Sequence, residues 1–385
     1  MVNNNDKKVL NVPALRFPEF SGEWKHVHLK EIAEFQKQRI STALLNNNNY
    51  ISTENILQDF EGIQCSSSMP ANVNVIKYQN EDILLSNIRP YLKKVWFADR
   101  KGGCSADVLV LRGNKCDKYF LYYVIASDRF INYVMSGIKG VKMPRGDKNQ
   151  MEEYAFSIPT NMEQKRIAKF ISILDERIRL QNKIIEDLKK LKSAIIDKLY
   201  SSTNGETYSF RQLFEVVNEK NKACAYKNVL SASQELGMIE RSDINIDIKF
   251  EQESISGYKI VRKGDYVVHL RSFQGGFAFS DRTGICSPAY IILRPNDLVV
   301  YSYLSHYFTS KPFIKSLKLV TYGIRDGRSI NVDEWLDMPI LLPPAQEQIR
   351  ILTIVNAIDA KLHNEVKVQF CLSSQKSYLL NTMFI

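Results

Sequence analysis

The sequence predicts an α+β protein in which two similar, mostly-β domains are separated and linked by two long helices. A stretch in the middle of the chain recurs near its end without a gap. In each half, short β-branched and aromatic runs lie between Gly, Asn, Ser and Pro clusters, which is typical of short strands and turns. Each half then closes with a long charged helical segment. The 385 residues are enough for two domains, each with its own core.

The internal repeat is the strongest of these signals. The two copies match at a constant separation of 184 positions in the pairs Glu163/Glu347, Gln164/Gln348, Arg166/Arg350, Ile167/Ile351, Asp175/Asp359, Lys183/Lys367, Lys192/Lys376 and Ser193/Ser377. A period this long indicates a duplicated domain with its helix rather than a solenoid. The matches predict an N-terminal tail over 1–22, a first domain over 23–158, a central helix over 159–203, a second domain over 204–342 and a C-terminal helix over 343–385.

The central segment reads as one strand of a coiled coil. Glu163 to Tyr200 contains no Gly or Pro, and its apolar residues are spaced by three, four or seven. At ~1.5 Å per residue such a helix is ~57 Å long, too long for one β domain to cover, so the C-terminal copy is the expected partner. Gln181 and Lys192 are expected in the seam. The residues predicted to pack the helices together are Ile178, Ile185, Leu188, Ile195, Leu362 and Leu379.

Charge and composition restrict the class of protein. The net charge of +10 and pI near 9.1 favour a polyanionic partner, although a solvated basic surface gives the same numbers. The six cysteines lack metal or disulfide spacing, which predicts reduced thiols. There is no apolar run of ~18 residues and no signal peptide, so we expect a cytoplasmic protein.

Motifs for catalysis are absent from the sequence. It has no P-loop, no Asn/Asp-Pro-Pro-aromatic motif of an adenine methyltransferase and no G-x-G-x-x-G after a strand. The five histidines match no recognisable nucleophile. We therefore expect a chain with no catalytic residue, no metal site and no cofactor of its own.

Three motifs together carry a family resemblance. They are Leu15-Arg16-Phe17-Pro18-Glu19-Phe20-x-Gly22-x-Trp24, then Ile158-Pro159-x-x-x-x-Glu163-Gln164-x-x-Ile167, and finally Leu342-Pro343-Pro344-x-x-Glu347-Gln348-x-x-Ile351. In this combination the chain resembles, over nearly its whole length, the specificity subunit of type I restriction–modification enzymes.

The resemblance implies a fold and a set of partners. The fold is α+β, with two similar mostly-β target-recognition domains separated and linked by two long antiparallel coiled-coil helices. Each domain would read one half of a split, asymmetric sequence in double-stranded DNA, and the helices would fix the spacer. The implied partners are two modification (methyltransferase) subunits, which hold S-adenosylmethionine, and the restriction (motor-nuclease) subunits of the full complex.

Two basic segments in each half are candidate DNA contacts. One places an arginine two residues before an aromatic residue after a strand, and the other sets basic residues among glycines, which allow close approach to a phosphate backbone. The candidates are Arg89, Lys93, Lys94, Lys139, Lys142, Arg145, Arg271, Arg325 and Arg328. Solvated surface charges remain the alternative for each.

Two other functions stay open at this point. A stand-alone, non-catalytic nucleic-acid-binding adaptor with a coiled-coil arm would show the same charge and helices. An enzyme with an unrecognised site would need activity from the purified chain with S-adenosylmethionine or a metal.

Overall fold

The structure, a computed structural model, describes residues 11–65, 68–138, 140, 143–233, 236–241, 252–269, 276–322 and 329–385. The chain forms two compact units. Unit 1 is Met1–Gln181 with Val368–Ile385, and unit 2 is Asn182–Lys367. The long helices each contribute one part to unit 1 and one part to unit 2.

Unit 1 contains the first half of the repeat. Its elements are β1 (Lys25–His28), α1 (Leu29–Ile32), β2 (Ala33–Phe35), β3 (Arg39–Ser41), β4 (Tyr50–Ile51), β5 (Asn74–Tyr78), β6 (Ile83–Ser86), β7 (Val95–Phe97), β8 (Gly102–Cys104), β9 (Val108–Gly113), α2 (Lys118–Ile125), α3 (Asp128–Ser136), α4 (Lys148–Glu152), β10 (Ala155–Ile158) and the first part of α5 (Asn161–Ser201).

Three sheets organise unit 1. One has the strand order β2-β9-β6-β7, a second has the order β3-β5-β8-β4, and β1 pairs with β10. The main core lies between the first sheet and the helices, and α5 contributes Ile167, Ile171 and Leu174 to it. The strand-rich part of the unit encloses a second, smaller core around Tyr78 and Trp96.

Unit 2 contains the second half of the repeat. Its elements are β11 (Glu206–Ser209), α6 (Phe210–Leu213), β12 (Phe214–Val217), β13 (Leu230–Ser233), β14 (Gly237–Glu240), β15 (Lys259–Val261), β16 (Tyr266–Val268), β17 (Phe277–Phe279), β18 (Gly284–Cys286), β19 (Ile291–Pro295), α7 (Tyr303–Tyr307), α8 (Lys311–Ser316), β20 (Thr321–Tyr322), β21 (Ser329–Ile330), α9 (Val332–Leu336), β22 (Pro339–Leu342) and the first part of α10 (Ala345–Met383).

The topology of unit 2 repeats that of unit 1. The sheet β12-β19-β16-β17 has the same order as β2-β9-β6-β7, and the β11–β22 pair corresponds to β1–β10. The registers agree as well, since Ile83 faces Leu111 in one sheet and Tyr266 faces Leu293 in the other. The sequence repeat is therefore a structural repeat.

The two long helices pair within each unit. In unit 1 the first turns of α5 share a core with Leu372 and Leu379 near the end of α10. In unit 2 the last turns of α5 contribute Ile196 to a core that holds Ile351 and Val355 from the start of α10. The pairing is antiparallel in both units, which confirms the predicted fold class.

The residues predicted to pair the helices lie at different depths. Leu379 is buried, whereas Ile178, Ile185, Leu188, Ile195 and Leu362 are half-buried. Ile196, next to Ile195, is the deeply buried residue near the end of α5. Gln181 is also buried.

Candidate nucleic-acid interface

The loop between β6 and β7 carries the first candidate basic segment. It begins at Asn87, ends at Lys94, and contains the turn Pro90–Leu92. The residues on either side of this turn, Arg89 and Lys93, have φ of 50° and 52°. A left-handed conformation costs a non-glycine residue about 1–2 kcal/mol, so surrounding contacts must hold the loop in this shape.

Those contacts come partly from the second candidate segment. The backbone N–H of Arg89 donates to the Pro144 carbonyl at 2.8 Å, and Ile88 forms an antiparallel bridge with Arg145. The fold thus brings Arg89 and Arg145 together, although 56 positions separate them in the chain. Both side chains are exposed, and Tyr91 is 49% exposed beside them.

The basic side chains of unit 1 differ in what they contact. Arg145 forms an ion pair with Asp107 at 3.0 Å, and Lys93 forms one with Asp128 at 2.8 Å. Lys94 donates at 2.8 Å to the Thr53 carbonyl, which makes it a support for the loop. No hydrogen bond or ion pair of the Arg89 side chain is found among the described residues, which leaves its guanidinium available. The candidates Lys139, Lys142, Arg271, Arg325 and Arg328 lie outside the described residues.

Unit 2 presents a hairpin of matching length. The loop between β16 and β17 runs from His269 to Gly276, and each of these residues lies 182 positions after its counterpart in the first loop. The backbone N–H of His269 donates to the Gly276 carbonyl at 2.5 Å and closes the neck of the loop.

A buried aspartate stabilises the turn before β6 and before β16. Asp82 accepts two hydrogen bonds from Arg112, both at 2.7 Å, and Asp265 accepts two from Arg294 at 2.9 and 3.0 Å. In each pair the hydrogen bond to the carboxylate raises the pKa of the arginine. Asp82 Oδ2 also accepts from the backbone N–H of Gln79. These bidentate pairs fix the strand that leads into each loop.

The glutamine of the repeated Pro-x-x-x-x-Gln motif has a structural role. Gln164 donates at 2.9 Å to the Pro159 carbonyl and accepts at 2.8 Å from the backbone N–H of Asp117. Gln348 donates at 2.9 Å to the Pro343 carbonyl and accepts at 2.8 Å from the backbone N–H of Val300. Each glutamine therefore ties the start of a long helix to its own domain, a role the sequence did not indicate.

The N-terminal motif contacts the central motif. Arg16 Nε lies 2.7 Å from Glu163 Oε1, and the Trp24 indole N–H donates to the same carboxylate at 3.3 Å. Glu163 is 1% exposed, so the segment before β1 covers the start of α5. In unit 2 the matching Glu347 is half-buried and pairs with Arg350 on its own helix at 2.7 Å. The two motif glutamates thus have different partners.

Neither a metal cluster nor a membrane span is found in the described part of the chain. No group of three or more His, Cys, Asp or Glu residues there could hold a metal ion. No helix there is both long and apolar enough to cross a bilayer. All six cysteines are free thiols.

A family model described as the type I restriction modification DNA specificity domain matches residues 21–190 and again residues 205–369. This chain belongs to that family. The two matches contain the two hairpin loops described above, so both units are specificity domains.

Individual relatives are more distant. The type I restriction enzyme MjaVIII specificity subunit of Methanocaldococcus jannaschii is 29% identical over 208 residues, which cover 51% of this chain and 46% of that protein. The EcoDI specificity subunit of Escherichia coli is 24% identical over 128 residues, which cover 32% of this chain and 29% of that protein. The chain thus spans less than half the length of either relative.

Solved structures share the fold. One similar chain comes from a structural study of complex assembly and conformational transition in the type I R-M system. It has a TM-score of 0.58 at 18% identity, and the match covers 93% of this chain and 96% of that chain. The S subunit of a type I system from M. genitalium has a TM-score of 0.56 at 15% identity, covering 97% and 99% of the two chains.

Proposed function

We propose that this chain is the sequence-specific DNA-binding subunit of a type I restriction–modification complex, and that each specificity domain reads one part of a split target. The observation that carries the proposal is the pair of matching hairpin loops on matching strands. In unit 1 this loop places an unpaired Arg89 next to Arg145 on the neighbouring segment. Arginine binds guanine edges or phosphates, and the net charge of +10 favours the same polyanion.

The proposed target is asymmetric. The two loops share their length, but the first contains Arg89-Pro90-Tyr91 where the second contains Arg271-Ser272-Phe273. Different side chains at equivalent positions present different hydrogen-bond donors and acceptors to the DNA. The paired helices would fix the spacing between the two parts of the target, because a paired helix is stiff where a loop is not.

The outer face of α5 is the proposed docking surface for two methyltransferase subunits. Within unit 1, Ile173 and Leu180 are seven residues apart and 57% and 46% exposed. Within unit 2, Ile184 and Leu191 have the same spacing and are 45% and 51% exposed. A spacing of seven places each pair on one helix face, and large exposed apolar residues in such a row favour a protein interface. S-adenosylmethionine and the chemistry would belong to the methyltransferase, and restriction subunits would complete the complex.

Single-molecule sequencing of DNA from cells that carry this chain and its modification subunits tests the proposed function. We expect methylated adenines in a split, asymmetric motif. Arg145→Ala should weaken recognition of one part of the motif and leave the other part unchanged. If methylation follows no split motif and the purified chain binds DNA tightly by itself, the stand-alone adaptor is the better description.

Co-purification tests the docking surface separately. Ile184→Glu with Leu191→Glu should abolish stoichiometric recovery of the methyltransferase without lowering the melting temperature of the chain. Lys315→Glu, at an exposed position of α8 in the same unit and off the long helix, is the matched control and should co-purify normally. Normal recovery of the double variant would show that the methyltransferase binds elsewhere.

A further inference from the structure

Strained backbone is concentrated beside the candidate DNA loop of unit 1. Among the described residues, eight that are not glycine have positive φ, and four of the eight lie in two loops that contact each other. Arg89 and Lys93 flank the turn Pro90–Leu92 in one loop, and Asp59 and Phe60, with φ of 51° and 63°, lie in the other. A left-handed conformation is rare for a bulky residue such as phenylalanine. Clusters of such residues are typical of functional sites, which marks this pair of loops as a candidate.

The two loops hold each other in place. The backbone N–H of Asp59 donates to the Leu92 carbonyl at 3.2 Å, and that of Phe60 donates to the Lys93 carbonyl at 3.1 Å. The backbone N–H of Arg89 fastens the other end of the turn to the neighbouring basic segment. The turn is therefore fixed at both ends, and its shape is set before a ligand binds.

Tyr91 is the side chain that this rigid turn presents. Pro90 before it is buried and Leu92 after it is half-buried, whereas Tyr91 is 49% exposed. Arg89 and Lys93 lie two residues before it and two residues after it. An aromatic ring between two cationic side chains suits a nucleic acid, which offers base rings and phosphates side by side.

A rigid, exposed ring can act on duplex DNA in a way that a flexible one cannot. The faces of the bases are covered by stacking, so an aromatic ring reaches them only where two neighbouring base pairs are pushed apart. The stacking of the base pairs opposes such insertion, and a flexible loop would bend back instead. Because the turn around Tyr91 is held at both ends, the DNA is the partner that deforms.

We propose that Tyr91 is a wedge that inserts between two base pairs in the part of the target read by unit 1. The inference rests on the proposed function. Pyrimidine–purine steps unstack more easily than other steps, so the wedge favours targets with such a step at the insertion point. Arg89 and Arg145, which lie beside the ring, would bind the phosphates or base edges next to the opened step. Unit 1 would thereby select sequence at base pairs that no side chain contacts by hydrogen bonds.

The experiment uses the chain assembled with its modification subunits and duplexes that carry the motif mapped for the wild type. The fluorescent adenine analogue 2-aminopurine is placed at successive positions in either strand, apart from the methylated adenine, which a methyltransferase can extrude by itself. With the wild type, the fluorescence should rise at one step in one part of the motif only. Tyr91→Ala should abolish this rise, bind the duplex about fivefold or more weakly and lose the preference at that step, because one base–aromatic contact is removed. Tyr91→Phe, which keeps the ring, should retain all three properties.

Tyr119→Ala is the matched control. Tyr119 is 45% exposed in the same unit, but it packs on Phe97 at the far end of β7, with ring centroids 4.5 Å apart. Its replacement should leave the fluorescence rise, the affinity and the step preference unchanged.

Thermal melting and the mapped motif separate the outcomes. Tyr91→Ala should melt at the wild-type temperature, since the side chain is exposed. A wild-type complex that methylates a split motif but shows no fluorescence rise would overturn the inference and leave the proposed function standing. Wild-type affinity and step preference in Tyr91→Ala would also overturn it, as would a lower melting temperature with equal loss on target and random duplexes. Methylation without any split motif would instead overturn the proposed function, and this inference with it.

Discussion

Lys192 Nζ lies 2.5 Å from Asp359 Oδ1 in unit 2, and the same two repeat positions, with the helices exchanged, form the 2.6 Å pair of Lys376 with Asp175 in unit 1. The side chains are 18–36% exposed, so each pair lies at the partly covered edge of the helix seam. In a parallel pairing, equivalent positions of the two repeat copies would lie opposite each other. Here a lysine of one copy pairs with an aspartate at a different position of the other copy, and the reverse pair also forms, as an antiparallel pairing requires.

Charge reversal tests this reciprocal pairing. Lys192→Asp should destabilise the chain by about 1 kcal/mol or more, because it places two carboxylates together at the seam. Adding Asp359→Lys should restore most of the loss, as measured by urea unfolding in a double-mutant cycle. Lys183→Asp, on the exposed face of the same helix, is the control for a general charge effect. A double variant no more stable than Lys192→Asp alone would contradict the pairing.

Protonation of His306 is expected to lower the free energy of unfolding of unit 2 at acid pH. Burial, then the nearby Lys192 ammonium, lowers the pKa of His306, while Asp359 and a hydrogen bond with Asn356 oppose the shift. A lowered pKa in the folded chain means that the neutral ring is favoured there. The associated stability is present above the unfolded pKa of ~6.5 and is lost as the pH falls through the lower folded pKa.

The comparison residue for His306 comes from unit 1, where Tyr123 donates to Asp175 at 2.9 Å. His306→Tyr should therefore show a smaller loss of unfolding free energy between pH 7.5 and pH 5 than the wild type. Urea titrations at the two pH values measure the difference. Equal losses in both proteins would show that other groups control the acid limb.

The repeat and the long helices could be predicted because their signals are local. Apolar spacing along Glu163 to Tyr200 indicated a helix that the structure extends to Asn161–Ser201. The role of Gln164 could not be predicted in this way. Its side-chain oxygen accepts a hydrogen bond from the backbone N–H of Asp117, which is 47 positions away in the chain. No local pattern indicates such a contact.

The candidate site shows the same limit. Arg89 and Lys94 belong to one short basic run, and no local pattern distinguishes their roles. The fold distinguishes the two residues, because Lys94 donates a hydrogen bond to the distant Thr53 carbonyl whereas Arg89 is exposed.

Thiol reactivity provides a separate check of both cores. Burial raises the pKa of Cys104 and of Cys286 to about 12, and both thiols are enclosed. The thiolate is the reactive form. At pH 8, iodoacetamide should therefore label the exposed Cys65, Cys224 and Cys371 first, as read by peptide mass spectrometry. Labelling of Cys104 at the rate of Cys65 would contradict the described core. Because these thiols ionise more readily in the unfolded chain, the free energy of unfolding should fall as the pH rises from about 9 towards about 12.

The contrast between Arg89 and Lys94 leads to the most direct prediction about DNA binding. Arg89→Ala and Arg145→Ala should each weaken binding of the assembled complex to its target by about 1–3 kcal/mol if the arginine reads a base, with relaxed specificity at one position. If the arginine contacts a phosphate, affinity should fall evenly across sequences and the salt dependence should become shallower.

Lys94→Met is the matched control from the same loop. Because Lys94 supports the loop through Thr53, its replacement should lower the melting temperature and leave the salt dependence unchanged. Equal salt dependence in all three variants and the wild type would show that this hairpin does not face the phosphate backbone. Unchanged specificity in the two arginine variants would show that it does not recognise bases.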